Sequence, residues 1–164
     1  MRAPPVPGPH RFSCLASVQV NELGSRFTLT SVDTLMTQSK LVLIVGLQPD
    51  LIDFSEPDYA AYPGMTASKV TAGLNADVES LNRMGYSATL CLTDLGETSE
   101  ATVAAALATQ PYDCVMIGAG VRTIGKNFPL FEKLVNVVHQ NAPQAKICFN
   151  TGPTDSLAAV QRWI

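Results

Sequence analysis

The sequence predicts a doubly wound, three-layer α/β/α fold with one parallel sheet over Lys40–Ile164. Three observations lead there. Lys40–Leu47 (KLVLIVGL) is a continuous β-branched run, the pattern of a strand buried on both faces. The runs that follow alternate between strand-sized apolar stretches and stretches with 3–4 periodicity. Each helical stretch stands between two strands, so the connections are crossovers and the strands run parallel.

The elements follow in order. Thr66–Met84 reads as a helix, with Val70, Leu74, Val78, Leu81 and Met84 recurring at helical spacing. Thr66 or Ser68 can cap its start, and Gly85 suits the left-handed position after its end. Tyr86–Thr93 (YSATLCLT) is the second strand. Thr98–Gln110 is an alanine-rich helix with Glu97 and Glu100 at its positive end. Asp113–Gly118 (DCVMIG) is the third strand. Phe128–Gln140 is a helix with Phe131, Leu134, Val135 and Val138 on one stripe. Ala145–Asn150 (AKICFN) is the fourth strand, and Thr154–Ile164 a last helix with Leu157, Val160 and Ile164 on one face and Thr154 as its N-cap. Four strands in this arrangement predict the order 2-1-3-4.

Composition narrows the function. The chain has 164 residues, 46% apolar and 15% charged, enough for one domain with a real core. Its formal net charge of −3 argues against electrostatic capture of nucleic acid or an anionic membrane. No apolar run approaches the ~18 residues of a membrane span. The four cysteines, Cys14, Cys91, Cys114 and Cys148, form no C-x-x-C pair, so no metal site is expected from them. Three lie in strand-like runs and read as buried free thiols, which points to a reducing, cytoplasmic setting.

Residues 1–39 differ from the rest. MRAPPVPGPH has four prolines and no acid, so a poorly ordered extension is expected there. Phe12–Leu35 alternates weakly, with Asn21–Ser25 as the turn of a candidate hairpin. A transit peptide is one reading of this stretch, and an extension upstream of a start at Met36 is the preferred one.

The ligand site of a doubly wound sheet lies beyond the carboxyl ends of the strands, where the strand order reverses. For order 2-1-3-4 this crevice falls between the loops after strands 1 and 3. The first loop, about Gln48–Gly64, is far longer than the usual ~2–6 residues. It carries Asp50, Asp53, Glu56 and Asp58, the aromatics Phe54, Tyr59 and Tyr62, and three stiffening prolines. It reads as a lid, a ligand wall or a dimer contact. The loop after strand 3 runs from Gly118-Ala119-Gly120 through Arg122 to Lys126 and Asn127. Its glycines allow close backbone approach, and Arg122 and Lys126 bring positive charge, as a phosphate or carboxylate would need. Beside it, Asn150 and Thr151 after strand 4 are further candidates for ligand hydrogen bonds. Asp50 and Asp53 are the weak catalytic candidates. They either meet Arg122 and close the structure, or hold Mg²⁺ or act as base toward a small anionic substrate.

Over Lys40–Ile164 this layout resembles the flavodoxin-like and receiver-like superfold, and small bacterial α/β proteins of unassigned activity. The resemblance implies layout only. After the first strand stands Gly46-Leu47-Gln48-Pro49-Asp50, where a flavodoxin has a Ser/Thr-rich phosphate loop, which disfavours FMN. Ile117-Gly118-Ala119-Gly120 has no side chain to phosphorylate, where a receiver carries an aspartate. Neither histidine lies in the D-x-H-x-x-G segment of a cobalamin-binding domain. Two readings follow. One is a domain or enzyme that binds a small anionic ligand through Gly118, Ala119, Gly120, Arg122, Lys126, Asn150 and Thr151. The other is a non-catalytic, dimeric interaction module, suggested by the apolar end at Trp163-Ile164 and an open edge at strand 4.

Overall fold

The computed structural model describes residues 38–152 and 154–164. The expectations of a hairpin over 12–35 and a start at Met36 lie outside the described residues.

Four strands form one parallel sheet: β1 (Leu41–Leu47), β2 (Ser87–Thr93), β3 (Cys114–Ile117) and β4 (Lys146–Phe149). Their order is β2-β1-β3-β4, as the alternating pattern predicts. Register is set by pairs such as Val45↔Cys91, Val45↔Ile117 and Ile117↔Phe149. Between and after the strands come α1 (Ala67–Arg83), α2 (Ser99–Leu107), α3 (Ala119–Arg122), α4 (Phe128–Asn141) and α5 (Ser156–Gln161).

β1 lies at the centre, and its residues 42–47 are all buried, which accounts for a strand without polar alternation. Successive side chains point to opposite faces, so β1 serves two cores. Leu43, Val45 and Leu47 join Val115 and Ile117 of β3, and α2 and α4 close this face with Val103, Leu107, Leu134 and Val138. Val42 and Ile44 join Cys114 and Met116, and α1 and α5 cover this second face with Leu81, Ala159 and Val160. Each fully buried Val, Leu, Ile or Met among them stabilises the fold by roughly 1.5–3 kcal/mol before chain entropy is subtracted.

The caps show where local chemistry decided the ends. Thr66 accepts the Lys69 N–H at the start of α1, as its position predicts. Gly85 takes φ +91° just beyond α1. Elsewhere the expected ends shift. α2 stops at Leu107 rather than Gln110, and the Thr109 hydroxyl turns back to the Ala106 carbonyl. The last helix begins at Ser156, and its capping position holds Asp155, not Thr154. Asp155 is drawn back instead, accepting the N–H groups of Thr151 and Gly152 and the Thr151 hydroxyl. Against the desolvation that would raise it, these bonds together hold its carboxyl below the usual range. The glycine-rich segment after β3, expected as a loop, folds into the single turn α3 and a 3₁₀ turn, Gly125–Asn127. Among the described residues no helix is long and apolar enough to cross a membrane.

Candidate functional site

The second face does not stay closed to its upper end. Along β1 the residues on that face are Val42, Ile44 and then Gly46; along β3 they are Cys114, Met116 and then Gly118. Gly46 and Gly118 stand one step beyond the pair Val45↔Ile117, so neither central strand places a side chain at this level of the second face. A Cβ on Gly118 would come within 3.3 Å of the Val45 carbonyl oxygen, a tight approach that favours glycine here. Above the two glycines opens a cleft of about 280 Å³.

Helix α1 forms one wall. Lys69, Gly73 and Asp77 are spaced four residues apart and therefore share one stripe, with Val70 and Leu74 beside it. A Cβ on Gly73 would meet nothing within 4 Å. Glycine inside a helix costs about 1 kcal/mol relative to alanine. No packing contact at Gly73 offsets that cost, and the missing side chain leaves the wall flat. The long loop after β1 adds Ile52, Tyr59, Tyr62 and Met65 to the lining. It is organised by two 3₁₀ turns, Pro49–Leu51 and Pro57–Ala61, each with proline at its start. Phe54 packs edge-on against Tyr59, with ring centroids 5.3 Å apart. Burial pushes the Tyr59 hydroxyl above its ordinary pKa.

The two loops do meet, but through other acids than Asp50 and Asp53. Glu56 pairs with Lys126, and Asp58 accepts the Gly125 N–H at 2.7 Å. The Glu56 carboxylate raises the Lys126 pKa. Asp53 turns on its own loop and accepts from the Ser55 hydroxyl and N–H. The Ser55 hydroxyl is the larger cause of its lowered pKa. Asp50 is exposed in the first 3₁₀ turn.

Of the residues singled out from the sequence, Gly118, Ala119, Gly120 and Asn150 line the cleft. Arg122, Lys126, Thr151, Asp50 and Asp53 are not among its lining residues. Arg122 donates from Nη2 to the Asn150 carbonyl at 2.9 Å, and its Nε is buried without a partner. Thr151 is held by Asp155. Among the described residues no three His, Cys, Asp or Glu side chains gather as a metal site.

The polar end of the cleft was not foreseen. Asp77 is half-buried there, and its Oδ2 accepts the Ser156 hydroxyl at 2.7 Å. Ser156 is fully buried and its Oγ accepts from Asn150 Nδ2 at 2.9 Å. Asn150 Oδ1 accepts the Ala119 N–H at 2.6 Å, and Nδ2 also donates to the Gly152 carbonyl. One chain of hydrogen bonds thus joins α3, the loop after β4, α5 and α1. Desolvation is the main cause of a raised Asp77 pKa, opposed by the Ser156 bond and aided by nearby Asp155.

Fold and cleft define the class: a doubly wound α/β domain with a compact opening at its topological switch point. No known family, curated protein or solved structure matches the chain.

Proposed function

We propose that this domain binds a compact small molecule in the cleft beyond the carboxyl ends of β1 and β3, with an anionic group of the ligand toward Lys69. The observation that carries the reading is the pair of glycines, Gly46 in β1 and Gly118 just after β3, at the cleft-facing upper positions of the two central strands, in a lining that is mostly apolar and aromatic. Binding clefts combine an apolar lining with a few convergent polar groups, and typically span ~300–1,000 Å³. At about 280 Å³ this one lies just below that range. Lys69 is the cationic side chain of the lining, and its Nζ donates one hydrogen bond to the Gly64 carbonyl. An ammonium has three donors, so two remain for a phosphate or carboxylate. Arg122 supports the site indirectly by holding the Asn150 carbonyl.

A protein-observed NMR titration with inorganic phosphate, 4-methylbenzoate and purine riboside 5′-monophosphate tests this. The amides of Gly46, Gly73 and Gly120 should shift together with at least one organic anion, and Gly73→Leu should abolish the response. Shifts confined to other surfaces, or a response that survives Gly73→Leu, would remove the cleft as the site.

A homodimer is the second reading, in the manner of a receiver-like interaction module. Met84 at the end of α1 and Trp163 after α5 are both more than half exposed, at the end of the sheet opposite the cleft. They flank the contact of the Tyr86 hydroxyl with the Ile164 carbonyl. Sedimentation of the wild type against Trp163→Ser decides it: a monomer at all concentrations sinks the reading. The free thiols of Cys91, Cys114 and Cys148 fit a cytoplasmic setting for either form.

A further inference from the structure

We infer that the cleft selects a ligand bearing an amine donor at the end opposite its anion, received by Asp77 Oδ1, and that the ligand class is an amino-substituted heterocyclic monophosphate. This rests on the cleft reading above and extends it.

The direction of the hydrogen-bond chain fixes what Asp77 offers. The Ala119 N–H can only donate, so the Asn150 carbonyl oxygen faces it and the Asn150 amide nitrogen faces Ser156. Ser156 Oγ accepts that bond, and its own proton goes to Asp77 Oδ2. Oδ2 is therefore an acceptor held in place. Oδ1 has no hydrogen-bond partner among the described residues, and Asp77 lines the cleft. Asp155 lies near enough to raise the Asp77 pKa, so this end of the cleft carries negative potential. A positively polarised N–H group suits it, and a second carboxylate or phosphate does not.

Spacing sets the ligand's length. Lys69 and Asp77 are eight residues apart on α1, about 12 Å along its axis at ~1.5 Å per residue. Gly73 lies midway and leaves the wall between them bare. Tyr59 and Tyr62 line the same cleft together with apolar side chains, which favours a flat aromatic body. An anion, a flat ring and an exocyclic amine over that length describe an aminopurine nucleoside monophosphate.

Adenosine 5′-monophosphate and purine riboside 5′-monophosphate differ only by the exocyclic amine. A hydrogen bond to a charged acceptor contributes enough to change affinity about tenfold or more. The wild type should therefore bind the adenine compound at least tenfold tighter in NMR or calorimetric titration. In Asp77→Asn the introduced carbonyl stays toward the Ser156 proton, so its NH₂ faces the ligand. That variant should lose the preference and bind inosine 5′-monophosphate, which offers an acceptor oxygen, better than the adenine compound. Equal wild-type affinity for the matched pair would overturn the inference while leaving the cleft reading intact. A preference kept unchanged in Asp77→Asn would overturn it as well. If none of the nucleotides shifts the cleft amides but 4-methylbenzoate does, the ligand class falls and the cleft stands. If no organic anion shifts them, both fall.

Discussion

The two faces of the sheet begin alike and end differently. On the α2/α4 side, β1 contributes Leu43, Val45 and Leu47 in succession, all of them buried. On the α1/α5 side the same strand contributes Val42, Ile44 and Gly46, and β3 repeats the pattern with Cys114, Met116 and Gly118. The α1/α5 face differs by a glycine in β1 and another just after β3, both of which line the cleft. The difference teaches that the opening is a local omission of side chains within an otherwise close-packed domain.

The largest expected effect lies on the closed face. Leu134 is fully buried, so Leu134→Ala should destabilise the domain by about 2–5 kcal/mol in urea unfolding. Leu74 borders the cleft and is only partly buried, so Leu74→Ala should lose less than about half of that. Equal losses would mean that the cleft is filled in solution and that the contrast between faces is false.

The two floor glycines sharpen the comparison. A methyl on Gly118 meets a backbone oxygen that cannot move aside, so Gly118→Ala should cost about 1–3 kcal/mol. A methyl on Gly46 first meets the end of the Leu74 side chain at 3.4 Å, an ordinary contact. Gly46→Ala should therefore be nearly neutral, and a loss equal to that at Gly118 would mean that the Leu74 and Leu92 side chains do not yield there. Gly73→Ala should gain about 0.5–1 kcal/mol, because the helix recovers its propensity and nothing obstructs the methyl. A loss there would show that another group already occupies the wall.

The smallest effect is a pH slope. The folded-state pKa of Asp77 is raised, chiefly by desolvation. The folded state therefore holds the proton more tightly than the unfolded chain. This contribution to stability is fully present below the ordinary value of 3.8 and is lost as pH rises through the folded pKa. Asp77→Asn should flatten that part of the stability curve, as followed by thermal unfolding from pH 3 to 7. An unchanged slope would place the carboxyl in free solvent instead of at the cleft.

Much of this architecture was legible in the sequence. The run at 41–47, the stripes Val70–Leu74–Val78 and Leu134–Val138, the Thr66 cap and Gly85 each carry their own local signal. So did the placing of a cleft at the switch point, because it depends on strand order alone. The polar end of the cleft was hidden. Lys69, Gly73 and Asp77 look like the solvated side of an amphipathic helix, and nothing local marks them off from Ser80 or Arg83. Arg122 and Lys126 looked like the anion site because they are cations in a glycine-rich turn, yet their bonds go to Asn150 and Glu56.

What the sequence determined by itself is whatever repeats along the chain: helical and strand periods, caps and the alternation of elements, since each depends on neighbours a few residues away. What only the tertiary structure decided is which distant polar groups meet. Asp77 and Ser156 are 79 positions apart, and Ala119 and Asn150 are 31. No periodicity encodes such a meeting, because it arises when packed helices and strands bring unrelated turns of the chain within hydrogen-bond reach.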